Sequence, residues 1–188
     1  MKKFLLTLVF LGCFAGFSFA ADLVEMKTSA GTIKIELFRD KAPISVDNFL
    51  QYADDGFFDG TVFHRVIDKF MIQGGGFGQD LERKPTAEPI KNEATNGLRN
   101  ERGTLAMART SVVDSGTSQF FINLIDNDFL NNSGTTAQTY GYAVFGKVIE
   151  GMDVVDKIGQ SRTVRKNMLF QNLPDPLVVI ESVKRIGD

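Results

Sequence analysis

Cysteine, histidine and long apolar runs are nearly missing from this sequence, and each shortage closes off a class of chemistry. Of 188 residues, one is Cys and one is His. The cysteine, Cys13, lies in an N-terminal stretch laid out like a secretory leader: Met-Lys-Lys, the apolar run Phe4 to Leu11, then the small-x-small site Ser18-Phe19-Ala20. Gly12 and Gly16 interrupt the apolar segment, which falls short of the ~20 continuous apolar residues of a spanning helix. Residues 1–20 are therefore expected to be removed, leaving Ala21 to Asp188 as a periplasmic or secreted protein. The rival reading, a lipoprotein with Cys13 lipidated at Leu11-Gly12-Cys13, is disfavoured by Phe10 and by the later cleavage site.

A mature chain without thiols forms no disulfide, no Cys/His nucleophilic pair and no thiolate zinc site. His64 is then its only imidazole, and no Ser stands in a G-x-S-x-G elbow beside which it could serve a Ser/His/Asp relay. Surplus positive charge is lacking too: losing Lys2 and Lys3 takes the formal net charge from −2 to −4. Scattered Lys and Arg make no face for phosphates, so nucleic acid is not an expected partner. Neither a metal nor a cofactor is expected. No repeat or linker divides the chain, and one domain stabilised by an apolar core is expected.

What is present alternates. Leu23 to Thr28 and Thr32 to Phe38 flank Ser29-Ala30-Gly31 with a period of two, which predicts a β-hairpin. Val46, Phe49, Leu50 and Ala53 then fall at helical spacing, with Ser45 as the expected N-cap and Gly56 beyond the end. Short β-like runs follow at Thr61–Ile67, Phe70–Gln73, Thr104–Ala108, Gln119–Asn123 and Ala143–Ile149. A second helix is expected over Met152–Ile158 and a last strand over Leu177–Ile186. The stretches Phe77–Arg102 and Asn131–Gly141 lack a period and read as loops. Gly74-Gly75-Gly76 has no following Lys-Ser/Thr and no βαβ context, so it reads as a close backbone approach rather than a phosphate cradle.

The densest information lies in Phe63 to Phe77, FHRVIDKFMIQGGGF, where alternation can bring Arg65, Met71 and Gln73 to one face. It is followed by GTLAMART (Gly103 to Thr110), SQFFIN (Ser118 to Asn123), Phe129-Leu130 and YAVFGKV (Tyr142 to Val148). In SQFFIN, Phe120 and Ile122 alternate with Phe121, which places the two sets on opposite faces of a strand.

These segments closely resemble the cyclophilin-type peptidyl-prolyl isomerases over most of the mature chain, and together with a leader they are similar to the periplasmic bacterial members. The resemblance implies a mainly β fold, a closed eight-stranded antiparallel barrel capped by two helices. It implies a monomer that accelerates X-Pro rotation in proline-containing polypeptides, here during the folding of exported proteins. Arg65 would be the catalytic cation and Gln73 a donor to the rotating carbonyl. Phe70, Met71, Phe121 and Leu130 would seat the proline ring, with Ala108, Gln119, Phe129 and Tyr142 also on the binding surface. Arg109 and Thr110 would lend backbone groups to the peptide. A proline-binding chaperone or adaptor without turnover is the alternative.

Three positions depart from many relatives. Phe129 stands where Trp is common, which removes an indole N–H donor and makes tight cyclosporin binding unexpected. Tyr142 stands where a His often lines the pocket, and Gly76 replaces an acidic residue. None touches Arg65 or Gln73, and His64 is expected to be a packing residue.

Overall fold

The computed structural model describes residues 22–187; the expected leader, with Cys13, lies outside the described residues. The hairpin forms as its alternation predicts. In β1 (Asp22–Thr28) and β2 (Gly31–Leu37), Met26 pairs with Ile33 and Val24 with Ile35, all four inward and fully buried. Helix α1 (Pro43–Asp54) buries Val46, Phe49, Leu50 and Ala53 on one side.

Ser45 is not its N-cap. Ala42 holds that position and Pro43 opens the helix, where a missing N–H costs nothing. The first-turn donors are met from far away instead. Glu93 accepts from Ile44 N–H at 3.1 Å, and from the N–H and hydroxyl of Ser45 at 2.7 Å each.

Seven further strands complete a nine-stranded antiparallel sheet: β3 (Thr61–Val62), β4 (Arg65–Ile67), β5 (Met71–Gly74), β6 (Thr104–Met107), β7 (Phe120–Asn123), β8 (Val144–Glu150) and β11 (Val179–Ile186). Its order is β3-β11-β1-β2-β8-β6-β7-β5-β4, so the outermost strands are consecutive pieces of one segment and the sheet curls until the chain itself joins its ends. The architecture is the expected one, but the count differs from eight. Thr61–Ile67, read as one strand, breaks at Phe63–His64, where Phe63 N–H donates to Val178 and His64 N–H to Gln73. Within two residues the backbone changes neighbours, which an unbroken ladder does not allow.

Helix α2 (Met152–Gly159) lies where expected, and a small sheet of β9 (Thr163–Val164) and β10 (Leu173–Pro174) has no counterpart in the sequence reading. The main core gathers around Phe49, whose ring centroid is 5.0 Å from Phe58, 5.4 Å from Phe145 and 5.5 Å from Phe120. A second apolar cluster, Met71, Ala106, Phe121, Leu130 and Val144, is separate from it. The strand period divides the two: Ile72, Leu105, Phe120 and Ile122 belong to the first cluster, while their neighbours Met71, Ala106 and Phe121 belong to the second. Among the described residues no helix is long and apolar enough to cross a membrane.

Candidate active site

Strand register builds the site. Residues directly opposed in an antiparallel pair share a face. Arg65 opposes Gln73, Gln73 opposes Phe121, Phe121 opposes Ala106, and Ala106 opposes Val144, giving one row across β4, β5, β7, β6 and β8. Three of these four pairings join residues 15 or more apart in sequence, yet each lands on the second cluster's face or at its margin.

Over this row lies a hollow of about 110 Å³, lined by Arg65, Phe70, Met71, Gln73, Ala108, Arg109, Phe121, Leu130 and Tyr142. Its size is of the order of the ~150 Å³ cavity that holds a benzene ring, which suits a five-membered ring better than a whole side chain and its backbone. Met71, Phe121 and Leu130 are buried beneath it. Arg65 is exposed at its mouth, where Nη1 donates to Gln73 Oε1 at 3.4 Å and the guanidinium carbon stands 5.9 Å from the Phe70 ring centroid. Gln73 Nε2 in turn donates to Gln119 Oε1 at 2.9 Å, so Gln119 orients the amide from one step behind the hollow. Gly76 makes room for it, since a Cβ there would sit 2.5 Å from Gln119 Cγ.

Arg109 forms the opposite margin. Its Nε, Nη1 and Nη2 donate to the carbonyls of Gly141, Thr110 and Ala137, and the guanidinium carbon lies 4.8 Å from the Tyr142 ring centroid. Tyr142 meets Phe121 edge-on at 5.7 Å. This bracing of the wall was not legible in the sequence, because its acceptors are backbone carbonyls of a loop without a period.

Besides Gln119, two expected binding residues sit outside the hollow. Phe129, in the short 3-10 turn Asp128–Leu130, is 73 % exposed and stacks on Phe70 at 5.6 Å, an outer shelf rather than a wall. Thr110 is exposed, with its N–H given to Ser115 Oγ and its carbonyl taken by Arg109, so its backbone groups are already engaged.

His64, next to Arg65 in sequence, points the other way, against Phe77 at 4.7 Å. Burial above all, with the charges of Arg65 and Arg83 adding to it and a hydrogen bond to Val62 opposing, lowers its pKa to about 4. The imidazole is neutral at pH 7 and carries no proton to the hollow. No carboxylate lines the hollow either, and no group of His, Cys, Asp and Glu suited to a metal ion occurs among the described residues. The arrangement offers a fixed cation, a carboxamide and an apolar floor, with no carboxylate, thiol or imidazole among the lining residues. It suits a reaction in which no bond breaks.

Comparison with known proteins agrees with this chemistry. A family model described as cyclophilin type peptidyl-prolyl cis-trans isomerase matches residues 23–185. A peptidyl-prolyl cis-trans isomerase of Acinetobacter baylyi is 61 % identical over 165 residues, covering 88 % of this chain and 86 % of the relative. Peptidyl-prolyl cis-trans isomerase B of Escherichia coli is 57 % identical over 161 residues, covering 86 % and 98 %. Among solved structures, a cyclophilin type peptidyl-prolyl cis-trans isomerase of Cryptosporidium parvum, determined in the presence of the dipeptide Ala-Pro, matches with a TM-score of 0.74 at 26 % identity, covering 88 % of this chain and 99 % of that one.

Proposed function

The chain belongs to the cyclophilin-type peptidyl-prolyl cis-trans isomerases and is an enzyme of that activity, and from that premise we propose that it is a monomer acting on exported proline-containing polypeptides, with Arg65 as the catalytic cation and the apolar hollow as the proline seat. The observation that carries this reading is Arg65 held by Gln73 at the mouth of a carboxylate-free hollow.

The X-Pro bond turns over in tens to hundreds of seconds because twisting destroys amide resonance. At the top of the barrier the imide nitrogen is pyramidal and regains its lone pair. A guanidinium donates to that lone pair far better than to either planar isomer, and stabilisation confined to the transition state is what raises turnover. Arg suits the task because it stays charged and presents a rigid fork.

Reaching milliseconds requires an acceleration of about ten-thousand- to hundred-thousand-fold, roughly 5.5 to 7 kcal/mol. One charge-assisted hydrogen bond supplies only about 1.5 to 3 kcal/mol. The seat must contribute the rest, by holding the ring over Met71, Phe121 and Leu130 while Gln73 donates to the rotating carbonyl and water is kept from both. The leader-like N-terminus supports action on the far side of the inner membrane, and a net charge of −4 for the processed chain supports a polypeptide rather than a nucleic-acid substrate.

The test is NMR exchange between the cis and trans signals of an Ala-Pro tetrapeptide, with and without protein purified from the envelope fraction. Arg65→Ala is expected to leave peptide affinity nearly unchanged while lowering turnover about a hundredfold, about 2.7 kcal/mol. Unchanged turnover would remove Arg65 from the mechanism. The purified protein is expected to begin at Ala21, and an intact Met1 on a cytoplasmic protein would overturn the assignment to export.

A further inference from the structure

Three buried asparagines lie behind the hollow, and none of them is among the residues that line it. Asn100, from the loop before β6, Asn123, the last residue of β7, and Asn127, just ahead of the 3-10 turn, are 1 %, 0 % and 1 % exposed. Their side chains are bonded head to tail. Asn127 Nδ2 donates to Asn123 Oδ1 at 2.8 Å, and Asn123 Nδ2 donates to Asn100 Oδ1 at 3.2 Å. The chain of amides ends on opposite walls of the hollow. Asn127 Nδ2 also donates to the Phe70 carbonyl at 3.0 Å, while Asn100 Nδ2 is shared between the carbonyls of Leu130 at 3.2 Å and Tyr142 at 3.3 Å.

We propose that Asn100, Asn123 and Asn127 are positioning residues for the isomerase: their amide relay fixes the separation between the Phe70 wall and the Leu130–Tyr142 wall, and so sets how tightly the proline ring is gripped. The inference rests on reading the hollow as the proline seat. The hydrophobic effect is non-directional, and by itself it selects no particular orientation of one wall against the other. Amide hydrogen bonds are directional, and inside a protein they are strong when paired and costly when broken, so the relay holds its geometry. It is also oriented. Asn127 uses only its donors, and its Oδ1 has no partner among the described residues. Backbone bonds run beside the relay and tie the same pieces together, from Asn127 N–H to the Asn100 carbonyl at 2.8 Å and from Tyr142 N–H to the Leu130 carbonyl at 3.0 Å. Catalysis that depends on holding a ring in register is sensitive to small displacements: a misplacement of ~1 Å costs on the order of a hundredfold in rate.

The decisive variant is Asn127→Asp. It keeps the shape of the side chain, but a carboxylate only accepts hydrogen bonds, so it faces the Phe70 carbonyl and Asn123 Oδ1 with the wrong polarity. Val155→Ala, in α2 and away from the hollow, serves as a control for general destabilisation. At a temperature where both variants are fully folded, Asn127→Asp is expected to bind the Ala-Pro tetrapeptide about tenfold more weakly and to lower the exchange rate per bound peptide. The amide signals of Phe70 and Tyr142 are expected to broaden. Val155→Ala is expected to change none of these. Should Asn127→Asp fail to fold, Asn131→Ala replaces it, because Asn131 Oδ1 accepts from the N–H and Nδ2 of Asn100 at the half-buried end of the relay; a threefold weakening is expected. Affinity and exchange indistinguishable from the Val155→Ala control would overturn the relay. Phe121→Ala, measured alongside, separates the two levels: if it leaves peptide affinity unchanged, the seat is misplaced and the relay falls with it, whereas if it weakens binding and the asparagine variants do not, only the relay falls.

Discussion

At the scale of the residue, the neighbours His64 and Arg65 show how one step along a strand separates two roles. Arg65 stands in solvent at the mouth of the hollow, while His64 is 6 % exposed among Phe77 and Phe170. The fold binds the neutral imidazole, with a pKa of about 4 against 6.5 for the free group. Between those values the unfolded chain takes up a proton and the native chain does not, so stability is full above pH 6.5 and is lost as the pH falls towards 4. The loss reaches about 3 kcal/mol, since one pKa unit is worth about 1.4 kcal/mol. The carboxyls of Asp54 and Asp156, hydrogen-bonded to Arg185 and Arg102, are held below 3.8 and act in the same direction only beneath that window. Urea unfolding repeated from pH 7 down to pH 4 is expected to show the fall in the parent and a flatter profile in His64→Phe; equal slopes in the two would take His64 out of the acid response.

At the scale of the element, α1 depends on a residue that no local pattern connects with it. Glu93 lies some fifty residues away in sequence and accepts all three hydrogen bonds that the first turn offers at Ile44 and Ser45. A carboxylate there also meets the positive end of the helix. Glu93→Ala is expected to destabilise the protein by about 2 kcal/mol, the upper part of the range for a lost N-cap, because the Ser45 hydroxyl is fully buried and would be left unpaired. Adding Ser45→Ala should recover part of that loss. The reading is checked by the midpoint of urea unfolding at constant slope, and additive effects of the two substitutions would argue against it. Ser45 also shows why the cap was misread: Ser before an apolar helical stripe is the usual start signal, and here Pro43 had already opened the helix two residues earlier.

At the scale of the whole molecule, one sheet carries two apolar clusters with different tasks. The cluster around Phe49 is the larger core, and the cluster beneath the hollow is the one proposed to seat the proline ring. Truncating Phe49, 1 % exposed and in contact with three other phenylalanine rings, is expected to cost about 3 to 5 kcal/mol. Turnover per folded molecule should be unchanged. Thermal unfolding and proline exchange measured on Phe49→Ala test that division, and a loss of activity in the folded fraction would show that the two clusters are mechanically coupled.

The sequence by itself determined the alternation of the strands, the helical stripe over Val46 to Ala53, the resemblance carried by FHRVI, FMIQGG and SQFFIN, and the near absence of cysteine and histidine. All of these are properties of neighbouring residues, because side-chain period and residue chemistry are set within a few positions of the chain. Only the tertiary structure decided that Thr61–Ile67 changes partners at Phe63–His64, that Phe129 lies outside the hollow while Arg109 braces Tyr142, that Glu93 serves α1, and that three asparagines meet behind the hollow. Each of these joins groups far apart in sequence or turns on a loop without a period. A hydrogen bond between distant groups exists only once strand register and loop path have brought a donor within about 3 Å of its acceptor, and no local pattern encodes that distance.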